Sequence, residues 1–447
     1  MAFRTRQTRC VTRLLVLRRL TSRQSAQCDT LRREAGRCWS DLVRAHKLER
    51  ERSHWLSVRE LELRVAHGYA LHSQTVQALA QRLDANIQTA RTLRAKEEAE
   101  GAKLSVYPYH TPEHQTVVWK DMAIRVDGTH ILLSKGRGRP ALRLPLPVEY
   151  RQADIRRAEL LWRAGSYELC LTIDTGETDA PPLDHGLTAG VDLGEVHIAA
   201  IATSAWNVLV VSGRHLRACK RLRNKRHAAY QRRRARCIPG SRRWRQLKRR
   251  GAQASGMFYR QQRDTLHQAS RKALTFCQSE GVATMAIGDV RTIHNRLHRG
   301  GNKQKIGQWA HGQFCHYLLQ KAANVGIATA YIPEDYSSQT CSACGHQRSY
   351  TPSQRMPTCP GCGVRIHRDA NGAANICSRS LFGVYACVHI ESVASIRPIR
   401  VVRAALKGDS HEILNDDPMV GPRSGICGES AGMGRNRHEP HHAWRDI

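Results

Sequence analysis

Two closely spaced cysteine pairs constrain the fold of this chain more than any other feature. Four cysteines form two C-x2-C pairs that fourteen residues separate, and these are Cys341, Cys344, Cys359 and Cys362. Each pair sits in a tight turn that aims two thiolates at one ion, and Gly345 and Gly361 suit these turns. Four thiolates complete the tetrahedral shell of a structural zinc site. We therefore predict a zinc ribbon over residues 337–366, held together by one structural Zn²⁺.

The other cysteines form no such pattern, and they bear on the compartment. They are scattered singly along the chain, and no apolar run near the start is long enough for a secretory signal. We therefore expect no disulfides and a reducing compartment. No stretch approaches the ~20 apolar residues that span a bilayer, so we expect no membrane partner.

A basic segment points to a nucleic-acid partner. Between Arg214 and Arg250, 17 of 37 residues are Lys or Arg and none is acidic, in a chain whose formal net charge is +33. A merely solvated face would intersperse acids, whereas contacts with phosphates gain free energy by releasing counterions. Such contacts position a protein without reading base sequence. We expect nucleic-acid contacts from Lys220, Arg221, Arg223, Lys225, Arg226, Arg232, Arg233, Arg234, Arg242, Arg243, Lys248, Arg249 and Arg250.

The hydrophobic period divides the N-terminal part of the chain into β, helical and β segments. Residues 1–24 contain one strand candidate, and residues 25–100 have a helical pattern in which Ser73 is a plausible N-cap. Between residues 101 and 180 the period falls towards two, as in a small antiparallel barrel or sheet. We predict a β-barrel domain that contains a helical insertion after its first strand.

The remainder of the chain has the pattern of an α/β domain. Residues 187–213 supply three strand candidates joined by short turns, so these strands should pair antiparallel. The basic segment and a helix follow, and then a buried strand over 282–290, a helix over 306–325 and a strand over 327–332. Three antiparallel strands followed by helix–strand–helix–strand is the order of an RNase H-like domain.

The zinc ribbon interrupts this α/β domain. We assign residues 181–336 and 367–382 to the two parts of the domain, on either side of the ribbon. Residues 383–447 lack hydrophobic periodicity, so we expect a poorly ordered tail.

Two acids stand where metal-dependent phosphodiester hydrolysis would need them. Asp192 lies in Gly-Val-Asp-Leu-Gly, within an otherwise apolar strand, and Asp369 lies in His-Arg-Asp-Ala-Asn, before a good helix start. Hydrolysis with two cations needs carboxylates from different elements to meet around ions ~3.5–4 Å apart. Taken singly, each acid would more often be a cap or turn residue.

Several motifs strengthen this interpretation. They are Gly190–Gly194, Gln262–His267, Tyr336–Gly345, Cys359–Cys362 and His367–Ile376. Together they resemble the TnpB proteins, which are transposon-encoded relatives of the type V CRISPR effectors and have long been described as OrfB-type transposases. The resemblance extends over residues 187–378.

This resemblance implies RNA-guided DNA cleavage by a RuvC domain. Guide RNA and target DNA would be the partners, and two Mg²⁺ ions would be the catalytic cofactor. The N-terminal β and helical segments match the family's wedge and recognition domains by order and type alone. A protein of this kind is expected in the bacterial or archaeal cytoplasm, at the nucleoid, and its oligomeric state stays open.

One position departs from the family pattern. The family's fourth strand usually ends in Glu-Asp, but here Gly288 replaces the glutamate. In the first explanation, Glu334 supplies the carboxylate from the end of the next strand. Neighbouring parallel strands lie ~4.8 Å apart, so a glutamate there could reach the same metal ions. The chain resembles a branch of the family with this arrangement. In the second, Asp289 serves directly, although strand alternation points it to the opposite face. In the third, the nuclease is inactive.

We rank these explanations in that order, and the predicted catalytic residues are therefore Asp192, Glu334 and Asp369. Three rival functions accompany the leading one, an RNA-guided endonuclease. Gly288 favours a guided DNA binder, such as a repressor. A strand-transferring transposase would need a nucleophile, and the nearest tyrosine is Tyr336, which we expect to pack beside the ribbon. A zinc-ribbon accessory factor of transcription or translation leaves Asp192 and Asp369 unexplained.

Overall fold

The computed structural model describes residues 8–291, 307–347, 354–390 and 392–396. Its N-terminal half contains three helices and seven strands, which are β1 (Cys10–Leu17), α1 (Ser22–Glu51), α2 (Val58–Arg64), α3 (Ser73–Ala99), β2 (Val117–Lys120), β3 (Ile124–Asp127), β4 (His130–Leu133), β5 (Leu142–Pro145), β6 (Asp154–Arg163) and β7 (Ser166–Asp174). The helices therefore lie between the first and second strands, where the hydrophobic period predicts them.

Local capping explains where the N-terminal helices begin. Thr21 precedes α1 and Ser57 precedes α2, and each forms a capping box with the residue three positions later. The prediction of Ser73 as the N-cap of α3 is wrong by one residue. His72 caps that helix instead, because its Nδ1 accepts a hydrogen bond from the backbone N–H of Gln74 at 3.2 Å.

The N-terminal strands form two antiparallel sheets. One has the order β1-β7-β6-β2 and the other the order β3-β4-β5. A single apolar cluster joins both sheets to the helices, and fully buried members such as Leu83 of α3, Trp119 of β2 and Leu144 of β5 belong to it. The helical insertion and the strands therefore share one hydrophobic core.

The C-terminal part of the described chain is built on one mixed sheet. Its elements are β8 (Leu187–Leu193), β9 (His197–Thr203), β10 (Asn207–Ser212), α4 (Arg214–Ala235), α5 (Arg242–Ser279), β11 (Val282–Gly288), α6 (His311–Ala323), β12 (Ala328–Ile332), α7 (Arg368–Phe382) and β13 (Ser392–Ile396). The strand order is β12-β11-β8-β9-β10-β13. The hairpins β8–β9 and β9–β10 are antiparallel, whereas β11 runs parallel to β8 and β12. This agrees with the predicted order of elements.

Helices cover both faces of this sheet. Alternate residues of β8 and β9, such as Val191 and Ile201, pack with Leu266 of α5 and Phe314 of α6. The intervening residues of β9 and β10 pack with Ala373 and its neighbours in α7. Burial on both faces explains why these strands are almost continuously apolar.

Two predicted boundaries differ from the structure. The helix predicted over 306–325 spans His311–Ala323, and Ile306 lies outside the described residues. The tail expected to be poorly ordered from residue 383 contains strand β13, which pairs in parallel with β10. The edge of the apolar strand β10 offers unpaired backbone groups that a short strand can cover. The tail beyond residue 396 lies outside the described residues. No described helix is long and apolar enough to cross a membrane.

Candidate active site

Asp192 lies at the carboxyl end of β8, in the middle of the mixed sheet. Val191 pairs in register with Ile287 of the parallel strand β11, so Asp192 stands beside Gly288 at the same edge. Val191 and Leu193 point into the apolar core, and alternation directs Asp192 to the other face, towards α7. The single acid of this strand therefore faces the helix that carries Asp369.

The glycine at position 288 provides space for Glu334. A Cβ added to Gly288 would lie 2.7 Å from Glu334 Oε2 and 2.9 Å from Ile376 Cδ1. Gly288 pairs with Ile332 of β12, two residues before Glu334, and the Asp289 N–H donates to the Ile332 carbonyl at 2.9 Å. The carboxylate of Glu334 therefore occupies the volume that a side chain at position 288 would fill, as the first of the three explanations requires.

Asp369 is held from two sides in the first turn of α7. His197 Nδ1 lies 2.6 Å from Asp369 Oδ2, and Arg355 Nη1 lies 3.3 Å from Oδ1. Burial raises the pKa of Asp369, but the hydrogen bond and charge of His197, with the charge of Arg355, bring it below its ordinary value. Asp369 is therefore a carboxylate whose orientation is fixed.

Asp192 has the opposite electrostatic environment. Burial raises its pKa well above the ordinary value, and the negative charges of Asp369 and Glu334 raise it further. Asp369 and Glu334 thus both lie close enough to Asp192 for their charges to act on it. Clustered like charges disfavour ionisation, and divalent cations relieve that repulsion. A site with these oxygen donors suits hard cations such as Mg²⁺.

Two further glycines make room for this cluster. A Cβ added to Gly372 of α7 would lie 2.7 Å from Asp192 Oδ2, and one added to Gly190 of β8 would lie 2.2 Å from the Ala373 carbonyl oxygen. Helix α7 therefore approaches β8 more closely than larger residues would permit, and this contact brings Asp369 to Asp192.

Asp289, the alternative catalytic residue, is engaged elsewhere. Its carboxylate accepts hydrogen bonds from Arg291 Nε at 2.9 Å and from Arg291 Nη2 at 2.7 Å. The Arg291 hydrogen bond lowers the pKa of Asp289 to about 2. The charge of Asp289 also acts on Tyr331 and Cys315, whose pKa it raises. The structure thus favours Glu334 over Asp289 as the third acid.

The four predicted zinc ligands converge. The sulfur atoms of Cys341, Cys344, Cys359 and Cys362 all lie within 4.8 Å of one another. The Cys341–Cys362 and Cys344–Cys359 Sγ distances are 3.8 and 3.6 Å. A tetrahedron with Zn–S bonds of ~2.3 Å has edges of ~3.8 Å. The donor set therefore fits one zinc ion with a closed shell.

Both cysteine pairs use the same type of turn, and the glycine that serves the second turn is Gly363 rather than Gly361. The N–H of Gly345 donates to the Cys341 carbonyl at 2.9 Å, and the N–H of Gly363 donates to the Cys359 carbonyl at 2.8 Å. These two glycines have φ of 75° and 74°, a region that favours glycine. Gly361, which we expected to serve the second turn, has no positive φ. The residue after the second cysteine of each pair fills this role.

Two buried asparagines attach the ribbon to α7. The sequence motifs contain both residues but did not indicate this structural role. Asn371 Oδ1 accepts from the Ser342 N–H at 2.8 Å, and Asn371 Nδ2 donates to the Thr340 carbonyl at 2.7 Å. Asn375 Nδ2 donates to the same carbonyl at 2.6 Å and to the Ser337 carbonyl at 2.8 Å. The i, i+4 spacing of the two asparagines could have indicated this contact. The ribbon is thus tied to the helix that carries Asp369.

Two histidines beside Asp369 were also missed. His197 is buried at the start of β9, and its ring lies 5.0 Å from that of His367, the N-cap residue of α7. No local sequence pattern predicts this contact, because 172 residues separate His197 from Asp369. Tyr336, which we expected to pack beside the ribbon, is instead 61% exposed.

Comparisons with known proteins agree with these motifs. The "Cas12f1-like, TNB domain" family model matches residues 311–376, and the "Probable transposase" model of the OrfB type matches residues 170–294. These matches support a TnpB-like family. Among curated relatives, it is 30% identical over 116 residues to the CRISPR-associated endodeoxyribonuclease Cas12f1 of Sulfoacidibacillus thermotolerans. It is 41% identical over 127 residues to the corresponding Cas12f2 of a Micrarchaeota archaeon.

These sequence matches are partial, and the structural match is broader. They cover 26% of this chain and 26% and 23% of the two relatives, about a quarter of each. The fold resembles a Cas12f1 chain solved by cryo-EM as a Cas12f1–sgRNA–target DNA complex. The TM-score is 0.55 at 14% identity, over 80% of this chain and 83% of that one. This likeness establishes an α/β fold of the Cas12 type.

The basic segment forms an antiparallel pair of helices, α4 and α5, joined by a short turn around Pro239. Ten of the basic residues predicted to contact nucleic acid are exposed, and none of them forms an ion pair with an acid of the described residues. They are Arg221, Lys225, Arg226, Arg232, Arg233, Arg242, Arg243, Lys248, Arg249 and Arg250. Arginines of α1 differ, since Arg33, Arg37 and Arg44 each pair with an acid. Uncompensated positive charge is therefore dense on these two helices.

Four predicted contacts on these helices have other neighbours. Arg223 lies over the Phe258 and Tyr259 rings. Arg234 and Lys248 lie over Trp244 at 5.5 and 5.2 Å. Lys220 is buried, and desolvation lowers its pKa. The prediction that Lys220 contacts phosphate is therefore wrong, because its side chain points into the domain and its charge is within reach of Glu195.

Proposed function

We propose that this chain is an RNA-guided, metal-dependent DNA endonuclease of the TnpB type. The observation that carries the proposal is that Glu334, after the end of β12, and Asp369, in α7, both lie close enough to Asp192 of β8 for their charges to act on it. Carboxylates brought together from separate elements are what two-metal phosphodiester hydrolysis requires.

The arrangement of the mixed sheet supports an RNase H-like domain of the RuvC type. Its central strands β8, β9 and β10 are antiparallel, and β11 and β12 extend the sheet in parallel on the other side of β8. The ribbon lies between β12 and α7, so it interrupts the domain before its last acid. The N-terminal sheets and the helices between β1 and β2 correspond to a wedge-like domain and its recognition insertion.

The residues would act by holding cations and fixing geometry. Asp192, Glu334 and Asp369 would bind through carboxylate oxygens, and His197 and Arg355 would orient Asp369 by the contacts described above. When bound, two Mg²⁺ ions supply electrostatic stabilisation of the attacking and leaving oxygens of the phosphodiester. The exposed arginines and lysines of α4 and α5 would hold the nucleic-acid backbone without reading its sequence.

Zinc would have a structural role in this proposal. A closed shell of four thiolates leaves no open coordination position for chemistry. Asn371 and Asn375 connect the ribbon backbone to α7, two and six residues after Asp369. Zinc binding would therefore stabilise the position of the helix that supplies one catalytic carboxylate.

Guide RNA and target DNA are the proposed partners. One solved structural neighbour is a complex of Cas12f1 with an sgRNA and target DNA. Base pairing with the guide would supply sequence specificity, and the protein would recognise a short flanking motif and the shape of the duplex. The unpaired positive charge of α4 and α5 suits either nucleic acid.

The proposal is tested with the full chain purified together with RNA expressed from its own locus. RNA that co-purifies is sequenced, and a DNA duplex with the complementary sequence is incubated with the complex in Mg²⁺. We expect cleavage by wild type and none by Asp192→Ala or Glu334→Gln. Asp289→Asn is the matched control, because Asp289 is an acid next to Gly288 that faces away, and this variant should still cut.

Each alternative has its own outcome. Robust cleavage by Asp192→Ala would refute the site assignment. Guided binding by wild type without cleavage would establish a nuclease-inactive DNA-binding protein instead. A covalent protein–DNA adduct would indicate a strand-transferring transposase.

A further inference from the structure

Asp369 is accompanied by two imidazoles, of which the cleavage proposal uses only His197, to orient the carboxylate. His197, His367 and Asp369 each offer one donor atom, and these atoms lie within 4.8 Å of one another. His197 begins strand β9 and is buried, while His367 and Asp369 open helix α7. Strand and helix pack together through the buried alanines of β9 and α7. The donors are therefore fixed by rigid elements.

One ring nitrogen of His367 has no partner among the residues that the structure describes. His367 Nδ1 is buried and forms no hydrogen bond with any of them. Buried polar atoms in proteins nearly always have a partner, and an exception indicates a ligand, water or ion. The two imidazole rings meet edge to face, with centroids 5.0 Å apart and an interplanar angle of 62°. The neighbouring Asp369 Oδ2 is in contact with His197 Nδ1 at 2.6 Å.

We propose that His197, His367 and Asp369 form a second zinc-type site besides the four cysteines, which binds one divalent transition-metal ion of the Zn²⁺ class. Two imidazoles and one carboxylate suit zinc and its first-row neighbours, whereas Mg²⁺ prefers oxygen donors alone. Three protein ligands leave one coordination position open, unlike the closed shell of the four cysteines.

Only small movements are needed to accept an ion. In a tetrahedral site with bonds of ~2.0 Å, donor atoms are ~3.3 Å apart, whereas His197 Nδ1 and Asp369 Oδ2 are 2.6 Å apart. The ion would replace this hydrogen bond, and the two side chains would separate by about 0.7 Å. Arg355 lies nearer to Oδ1, at 3.3 Å, than to Oδ2, at 3.5 Å. Arg355 therefore keeps its contact with Oδ1 while Oδ2 turns to the ion.

The second site shares Asp369 with the proposed catalytic site, and this has a regulatory consequence. An ion held by the histidines takes Oδ2 of Asp369 away from the Mg²⁺ pair, so excess Zn²⁺ should inhibit cleavage. That consequence rests on the proposed function, but binding of the ion does not. The two ideas can therefore fail separately.

Binding is tested by counting zinc in the full chain. Wild type and His367→Asn are equilibrated with micromolar free Zn²⁺, passed over a desalting column and analysed for zinc per chain by mass spectrometry. We expect the variant to lose about one equivalent relative to wild type while the four-cysteine zinc stays bound. Asn is a favoured N-cap residue, so the start of α7 should be preserved. His227→Asn, on the exposed surface of α4, is the matched control and should lose none.

A second variant and a spectroscopic measurement complete the test. His197→Gln should lose the same equivalent, and the zinc X-ray absorption spectrum of wild type should contain nitrogen and oxygen neighbours that both variants lack. Equal zinc content in wild type, His367→Asn and His197→Gln would overturn the proposal. Equal loss in the His227→Asn control would overturn it as well, because the ion would then be bound by surface histidines.

Discussion

The Glu334 carboxylate occupies the space beside Gly288, so a larger residue at position 288 should displace it. In Gly288→Ala, the new methyl group would lie 2.7 Å from Glu334 Oε2, whereas ordinary contacts begin at 3.4 Å. The carboxylate must therefore retreat by about 0.7 Å or rotate away. We expect it to move rather than the backbone, because Oε2 and the neighbouring Ile376 Cδ1 are the far ends of flexible side chains.

The expected loss concerns activity far more than stability. Misplacing a catalytic group by ~1 Å can cost ~100-fold in rate, so a shift of about 0.7 Å should lower the cleavage rate roughly 10- to 100-fold. That corresponds to ~1.4–2.7 kcal/mol in the barrier. The melting temperature should change little. Single-turnover cleavage of guided DNA at saturating Mg²⁺ and thermal unfolding measure the two effects.

A matched glycine controls for the change of backbone freedom. Gly312 lies in α6 with no atom within 4 Å of an added Cβ, so Gly312→Ala should leave cleavage intact and raise stability by ~0.5–1 kcal/mol. The double variant Gly288→Glu with Glu334→Ala returns the carboxylate to β11, and it should cut faster than Glu334→Ala alone. Cleavage by Gly288→Ala at the wild-type rate would refute the idea that Glu334 acts from the space above Gly288.

Three further predictions concern the ribbon, the basic helices and pH. Cys359→Ser should lower both the zinc content and the melting temperature, because zinc holds the ribbon folded; a zinc assay with a thermal melt checks this. The double variant Arg232→Ala/Arg233→Ala should reduce the slope of log affinity against log salt by ~0.9 per lost phosphate contact. Fluorescence anisotropy with labelled nucleic acid measures this slope. Arg44→Ala is the control and should leave the slope unchanged, because Arg44 is paired with Asp41. Burial lowers the pKa of Lys321 from 10.5 to about 8, so the unfolded chain binds more protons between those values. Stability from this group therefore rises as pH increases across that window, and Lys321→Met should flatten that part of the unfolding free-energy profile.

The core elements of the fold were predictable because their signals are local. Strands β8 to β12 are short apolar runs bounded by turns, and the structure confirms them. The strand at 392–396 was not predictable, because five residues of mixed polarity acquire a strand conformation only by pairing with β10. The His72 cap was missed because a histidine is an uncommon N-cap, and Ser73 next to it is a common one.

The candidate site divides in the same way. The cysteine pairs and the acid within an apolar strand are visible in the sequence, and the parallel order of β11 and β12 made Glu334 a reasonable prediction. The contact of His197 with Asp369 depends on how β9 and α7 pack, which no sequence pattern records. Lys220 was misassigned because charge alone does not reveal which face of a basic helix is buried.

The most direct test of the central claim is a measurement of paired cations at the three acids. Mn²⁺ added to the full chain with its nucleic acids can be examined by electron paramagnetic resonance, which detects spin coupling between ions ~3.5–4 Å apart. We predict a coupled Mn²⁺ pair in wild type and in Asp289→Asn, and loss of the coupling in Asp192→Asn and in Glu334→Gln. Isolated Mn²⁺ alone in wild type, or coupling that survives both active-site substitutions, would contradict the account.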